Sequence, residues 1–86
     1  MKNMNMSEFK ELEVVNLYNG KILGNVSDFI INIKERKIEA IIVPETSKIR
    51  TIFNAKNEYI IPWDEIKKVG EEVILVDHGR EIYLKE

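Results

Sequence analysis

The chain of 86 residues contains no cysteine, so it has no disulfide bond, thiolate metal site or thiol nucleophile. Its single histidine gives a zinc ion too few of its preferred ligands. The segment from Gly20 to Gly24 lacks the spacing and the hydroxyl residue of a phosphate-binding loop, and no nucleophile lies in an obvious pair with a base. We therefore expect no metal site and no cofactor, and we rank an enzyme last among the possible functions.

The sequence also lacks a basic excess and a long apolar run. A net charge of -2 argues against a broad phosphate-binding surface, although it is compatible with a local basic patch. No apolar run approaches the length that spans a bilayer, and the N-terminus has no apolar signal segment. We therefore expect a cytoplasmic protein that does not contact a membrane.

The composition is that of an ordinary globular domain, with 44% hydrophobic and 33% charged residues. The length suits one domain with one modest core. We assign residues 1–11 to a loose N-terminal segment and residues 12–86 to the domain. Within the N-terminal segment, Ser7 is a candidate cap for a short turn that ends near Glu11.

Alternating apolar residues and turn signals predict about six strands with almost no helix. The predicted strands cover residues 13–17, 22–33, 38–43, 59–61, 73–76 and 80–84. Asn19-Gly20 is a strong hairpin signal, since both residues tolerate positive φ, and His78-Gly79 predicts a last hairpin with His78 at an exposed tip. A small sheet protects its edges best by closing, so the predicted fold class is an all-β barrel.

The second predicted strand changes the phase of its apolar residues near Ser27-Asp28, which indicates a bulge or a bend. Gly24 inside this strand indicates close packing or a sharp curl of the backbone. Asp28 could bind a cation, but one carboxylate cannot supply the several oxygens that a hard cation needs. We therefore predict that Asp28 accepts backbone N–H bonds at the bend.

The segment YIIPWDEIKKVGEEVILV begins at Tyr59 and contains a possible helical turn. Pro62 ends a strand and suits the start of a helix. The order of Asp64-Glu65 before Lys67-Lys68 complements a helix dipole, and Gly70 suits a left-handed exit. Adjacent acids do not face each other on a helix, so a catalytic pair is a poor interpretation. Trp63 is predicted to fill the core.

The mid-chain segment ETSKIRTIFNAKNE, residues 45–58, breaks the strand pattern and is long for a hairpin loop. Loops on rigid β scaffolds often carry binding residues, and an apolar patch ringed by cations suits an interface. The alternative is that the apolar side chains form a lid over one end of the barrel. The candidate partner-binding residues are Ile49, Arg50, Ile52 and Phe53.

Three segments in order resemble the PRC-barrel superfamily, and more narrowly its YlmC/YmxH group: NGKILGNVSDFIIN, KIEAIIV and YIIPWDEIKKVGEEVILV. The resemblance covers residues 12–77, and the recurrent pattern falls on Gly24, Asp28 and Pro62-Trp63, to which we assign structural roles. It implies a small six-stranded PRC-type β-barrel with one short helical turn after Pro62. Related barrels in the photosynthetic reaction-centre H subunit and the ribosome maturation factor RimM act as docking modules.

The combined prediction is a non-enzymatic protein-interaction adaptor, associated with sporulation by resemblance. Its partner would be an unidentified protein, with a homodimer as one form. The alternative is an RNA- or ribosome-associated adaptor similar to the barrel of RimM, in which Lys48, Arg50 and Lys56 touch phosphates and Phe53 stacks on a base. The acidic net charge makes nucleic acid the less favoured partner.

Overall fold

The computed structural model describes residues 3–45, 57–79 and 83–84. Within these ranges the protein consists mainly of strands, with one short α-helix and one 3₁₀ turn. The helix α1 is Met6–Phe9, and the 3₁₀ turn is Trp63–Glu65. The strands are β1 Glu13–Asn16, β2 Lys21–Asn25, β3 Asp28–Asn32, β4 Lys37–Pro44, β5 Asn57–Pro62, β6 Ile66–Val69, β7 Val73–Val76 and β8 Tyr83–Leu84.

The strands form two four-stranded sheets. The first sheet has the order β2-β1-β7-β6, and the second has the order β3-β4-β5-β8. The β1–β7 pair is parallel, and the other pairs are antiparallel. The all-β fold class is confirmed. The described residues form eight strands where six were predicted, because the long second strand divides into β2 and β3, and because residues 66–69 add a strand.

The chain passes from the first sheet to the second between β2 and β3. Val26 is buried there, and the Ser27 amide donates to the Ile42 carbonyl oxygen at 2.8 Å. The Asp28 carboxylate accepts a hydrogen bond from the Phe29 amide at 2.9 Å. The predicted bend and the predicted role of Asp28 as a backbone acceptor are therefore confirmed, and the bend is large enough to separate two strands.

The core lies between the two sheets and includes a residue from the N-terminal segment. Its buried members are Phe9, Leu12, Val14, Leu23, Val26, Ile41, Val43, Ile61, Ile74 and Val76. Helix α1 carries Phe9 into this core, so this part of residues 1–11 is tied to the domain. The cap of α1 is Asn5, not Ser7 as predicted, because Asn5 and Glu8 form a reciprocal capping box. The domain boundary at Leu12 stays a prediction.

The predicted Asn-Gly hairpin joins β1 to β2 and is confirmed. Its loop comprises the four residues 17–20, since Asn16 pairs with Lys21. Gly20 alone in this loop has a positive φ, of 75°. The predicted hairpin at His78-Gly79 is wrong: β7 pairs with β1 and β6, whereas β8 pairs with β5 in the other sheet.

The helical turn predicted after Pro62 is confirmed for Trp63–Glu65 but ends earlier than expected. Ile66 already has extended backbone angles, and both lysines that were assigned to a last helical turn lie in β6. Lys68 pairs with Leu75 of β7, and Lys67 stands at a register shift in this ladder. Gly70 does not have a positive φ, so it is not a left-handed exit. The hydrogen bonds with β7 stabilise the extended backbone more than the order of charges stabilises a helix, because each well-placed charge contributes only about 0.3–1 kcal/mol.

We expect Gly24→Ala to destabilise the fold by about 1–3 kcal/mol, because Gly24 has a φ of 125°, which side chains rarely adopt. Steric overlap would add little, since an added Cβ would lie 3.6 Å from Val43 Cγ1. The measurement is urea unfolding followed by circular dichroism. Gly79→Ala is the control, because φ there is not positive. An added Cβ at Gly79 would lie 3.2 Å from Tyr18 Cε1, and this exposed ring has room to move away. Equal losses in the two variants would contradict the backbone argument.

Candidate interaction surface

The second sheet has an apolar outer face, on the side away from the core. The inward residues Ile41, Val43 and Ile61 are 0% exposed, and alternate residues of a strand point to the opposite face. The members of the outer face are Ile30, Ala40, Ile42, Ile60 and Pro62. In the ladders Ala40 lies opposite both Ile30 and Pro62, and Ile42 lies between Ile60 and the exposed Asp28 at the start of β3. These contacts between neighbouring strands make one continuous apolar surface.

The four larger members of this face are half-buried, whereas Ala40 is buried at its centre. Ala40 has a small side chain between two larger neighbours, so the face has a shallow centre and a raised border. Polar contacts lie toward the ends of the strands. Asn32 Nδ2 donates to Glu39 Oε1 at 2.7 Å, and Lys37 Nζ lies 3.2 Å from Glu35 Oε1. The neighbours of Ala40 on this face are uncharged, and the carboxylate of Asp28 stands beside Ile42 at the β3 edge of the face.

The first sheet has a smaller apolar row on its own outer side. Val15 lies opposite Ile22 in β2 and opposite Leu75 in β7, and Leu75 lies opposite Lys68 in β6. Ile22 is 63% exposed at one end of this row, and the charge of Lys68 stands at the other end. This row is therefore narrower than the outer face of the second sheet.

The partner-binding residues predicted from the sequence, Ile49, Arg50, Ile52 and Phe53, lie outside the described residues. The four residues with predicted structural roles are described. Gly24 has the unusual φ given above, Asp28 stands at the bend, and Pro62 ends β5. These three positions agree with the predicted roles, but Trp63 does not.

Trp63 is not a core residue. It is 38% exposed, and its ring stacks on Phe9 with a distance of 6.0 Å between ring centroids. Phe9 in turn packs against Phe29 at 5.4 Å. The helix α1 brings Phe9 between the two rings, so Phe9 takes the interior place that the sequence suggested for the tryptophan.

The predicted exposed tip at His78 is also wrong, because His78 is 1% exposed. Its main chain binds the side chain of Asn16, which is 2% exposed. Asn16 Nδ2 donates to the His78 carbonyl oxygen at 2.9 Å, and Asn16 Oδ1 accepts from the amides of His78 at 3.0 Å and Tyr18 at 3.2 Å. We call these three hydrogen bonds the Asn16 anchor.

The His78 ring has its own partners. Nδ1 lies 2.7 Å from Glu65 Oε1 in the 3₁₀ turn, and the ring of Tyr59 meets the imidazole edge-on at 6.5 Å. Nε2 is buried and has no hydrogen-bond partner among the described residues. The imidazole therefore links the segment after β7 to the 3₁₀ turn and to β5. The described residues also contain no cluster of three metal-ligating side chains.

Sequence reasoning missed the Asn16 anchor, although one signal was present. The alternation of β1 puts Asn16 on the same face as Val14, which is in the core. A polar residue at a core position of a strand indicates a buried, hydrogen-bonded side chain. Its partner could not be identified in this way, because His78 is 62 residues away in the sequence.

The two small sheets, the buried core and the short turn after Pro62 define an all-β domain. The PRC-barrel domain family matches residues 1–82, and the chain belongs to this family. It is 45% identical over 73 residues to the probable sporulation protein YlmC of Bacillus subtilis, covering 85% of this chain and 90% of that protein. It is 28% identical over 81 residues to the uncharacterized protein YmxH of the same organism, covering 92% and 94%.

A third relative is an uncharacterized protein of Clostridium acetobutylicum, which is 36% identical over 72 residues. The match covers 84% of this chain and 82% of that protein. The predicted membership of the YlmC/YmxH group is therefore confirmed. Among the helices that the structure describes, none has the length and hydrophobicity to cross a membrane.

We expect Asn16→Ala to lower the free energy of unfolding by about 2–4 kcal/mol, because it leaves buried main-chain groups of His78 without partners. The measurement is urea unfolding with a shared slope for all variants. Asn32→Ala is the matched control, since its hydrogen bonds to Glu35 and Glu39 are exposed, and we expect it to cost under about 1 kcal/mol. A loss no greater than that of the control would show that the Asn16 anchor is not important for stability.

Proposed function

We propose that this protein is a non-enzymatic protein-interaction adaptor that functions in sporulation, and that it binds its partner through the outer face of the second sheet. The association with sporulation is supported by the identity to the probable sporulation protein YlmC. The adaptor role is supported by the surface itself. We also propose that the protein acts in the cytoplasm.

The observation that carries this proposal is the continuity of the outer face. Antiparallel sheets with one face on a core usually alternate apolar residues inside with polar residues outside. Strand β4 departs from that rule, because Ala40, Ile41, Ile42 and Val43 are all apolar. Ile30 and Ile60 extend the apolar surface into both neighbouring strands. An outward apolar surface of this kind marks an interaction site.

The partner that we propose for this face is a second copy of the chain. Homodimer interfaces are more apolar than transient ones, and their buried centres are depleted in charge. The outer face has this composition, since its centre is Ala40 and the border nearest to it is isoleucine and proline. In a two-fold dimer the same patch serves both copies, and the raised isoleucines of one copy can pack over the shallow centre of the other.

The test is the mass of the protein in solution, measured by sedimentation equilibrium at up to about 100 µM. We expect the wild type to approach twice the chain mass of 10.1 kDa. Ile42→Lys should weaken the dimer by about 100-fold or more, because it replaces an apolar contact of the interface with an ammonium group that loses water on burial, even with Asp28 beside it. The variant should remain folded, since residue 42 points away from the core.

The matched control is Ile22→Lys, which puts the same charge on the outer side of the first sheet. Ile22 is exposed, so the dimer should persist. A monomeric wild type at the highest concentration would refute the homodimer. Equal weakening by both lysine variants would show that the outer face of the second sheet is not the contact.

Two alternatives remain predictions because their residues lie outside the described ranges. One is that Ile52 and Phe53 of the mid-chain segment contact the partner, in which case Ile52→Asp with Phe53→Asp should abolish the dimer while Ile42→Lys leaves it intact. The other is the RNA- or ribosome-associated adaptor. Phosphate contacts would make RNA binding fall steeply with salt, so absent or salt-insensitive binding would refute it.

A further inference from the structure

The loop between β1 and β2 contains the one Asn-Gly sequence of the chain, Asn19-Gly20. An asparagine can lose its side-chain amide when the next backbone nitrogen attacks its Cγ. Glycine at the next position favours this attack, because it has no Cβ and its backbone moves freely. Both residues are exposed, and the space around the Cα of Gly20 is open, with no atom within 4 Å of a Cβ added there.

The folded loop holds both reacting groups in other hydrogen bonds. The Gly20 amide donates to the Asn16 carbonyl oxygen at 2.7 Å, so the nitrogen that would attack keeps its proton and points to β1. The side-chain carbonyl of Asn19 accepts from the Lys21 amide at 3.0 Å. The first bond must break before the Gly20 nitrogen can lose its proton and attack, and the second holds the Asn19 side chain toward Lys21.

The first of these bonds depends on the position of Asn16. The side chain of Asn16 is fixed by the Asn16 anchor to the main chain of His78. The backbone carbonyl oxygen of Asn16 accepts the hydrogen bond from the Gly20 amide. Asn16 also pairs with Lys21, the first residue of β2. A weaker anchor would therefore raise the fraction of molecules in which this loop is open.

We propose that Asn19 is a site of spontaneous deamidation and that the Asn16 anchor controls its rate. In an opened loop the Gly20 nitrogen loses its proton to solvent and forms a bond to Asn19 Cγ. The bond from Cγ to Nδ2 then breaks, and the side-chain nitrogen takes a proton from solvent and leaves as ammonia. The product is a five-membered succinimide. Water then opens the ring at either carbonyl, which gives aspartate or isoaspartate without any oxidant or reductant.

The modification changes the loop in two ways. Each product replaces a neutral amide with a carboxylate, and isoaspartate also adds a methylene group to the main chain. The four-residue loop that joins Asn16 to Lys21 would then no longer fit its ladder. The modified molecules should therefore unfold at a lower urea concentration than the unmodified ones.

The experiment incubates the purified full chain in mildly alkaline buffer and follows each asparagine by peptide mapping and mass spectrometry. One sample is folded, and the other is unfolded in urea. We expect Asn19 to react first in urea, with more isoaspartate than aspartate, and to react at least about 10-fold more slowly in the folded chain. Gly20→Ala in urea should slow the reaction, which would identify the attacking nitrogen.

The role of the anchor is tested in the folded state with Asn16→Ala and with Asn32→Ala as the control. We expect Asn16→Ala to speed deamidation of Asn19 about 10-fold, whereas the control should match the wild type. If Asn16→Ala does not fold, partial opening of the wild type by low urea replaces it and should raise the rate in the same way. Equal rates in the folded and unfolded wild type, or faster reaction at another asparagine in urea, would overturn the proposal.

Discussion

The buried side chain of Asn16 joins the first strand of this domain to the segment after β7, and the arrangement of the first sheet depends on it. Strand β1 pairs in parallel with β7, although most of the domain sequence lies between them. Parallel neighbours cannot be joined by a tight turn, so this pair needs another means of fixing its register. Asn16 supplies it, since its amide group binds the main chain of His78 directly after β7. The same residue ends β1, and its carbonyl oxygen holds the following loop.

The His78 ring extends this attachment to the turn after Pro62. Its Nδ1 meets Glu65, and the Glu65 carbonyl oxygen accepts the amide of Asp77 at 3.0 Å. The turn is the point at which the chain leaves β5 in the second sheet and enters β6 in the first. A polar cluster thus connects the two sheets where the chain crosses between them. The separate crossing from β2 to β3 is fixed by Ser27 and Ile42 instead.

The parts of the fold that the sequence predicted correctly depend on local chemistry. The Asn-Gly loop, the bend at Asp28 and the strand end at Pro62 each follow from the backbone preferences of one or two residues. The failures have non-local causes. Residues 66–69 have the charge order of a helix end, but β7 supplies a ladder for them. His78 stands beside a glycine as a turn residue would, yet its partners Asn16 and Glu65 come from distant segments.

The prediction for the aromatic side chains failed for the same reason, because their packing depends on residues that are distant in the sequence. The sequence shows that one large ring should fill the end of the core, but it does not show which one. Phe9 occupies that place because α1, which has its own capping box, carries it into the core between the two sheets. Trp63 then packs on the outer side of Phe9. The recurrent family pattern includes Trp63, but it marks the position of the turn. Which ring fills the core depends on the neighbours that reach it, and here that ring is Phe9.

The apolar outer face of the second sheet also depends on contacts that lie far from it in the sequence or outside the chain. A continuous apolar run is expected where a strand is covered on both sides. Strand β4 is covered by the core on one side, through Ile41 and Val43, while Ala40 and Ile42 point to the other. The core explains why Ile41 and Val43 are apolar, but it does not explain why Ala40 and Ile42 are. A second layer of protein over the outer face would explain this second pair, because apolar residues at Ile42 and Ile60 would then be buried on both sides of the sheet.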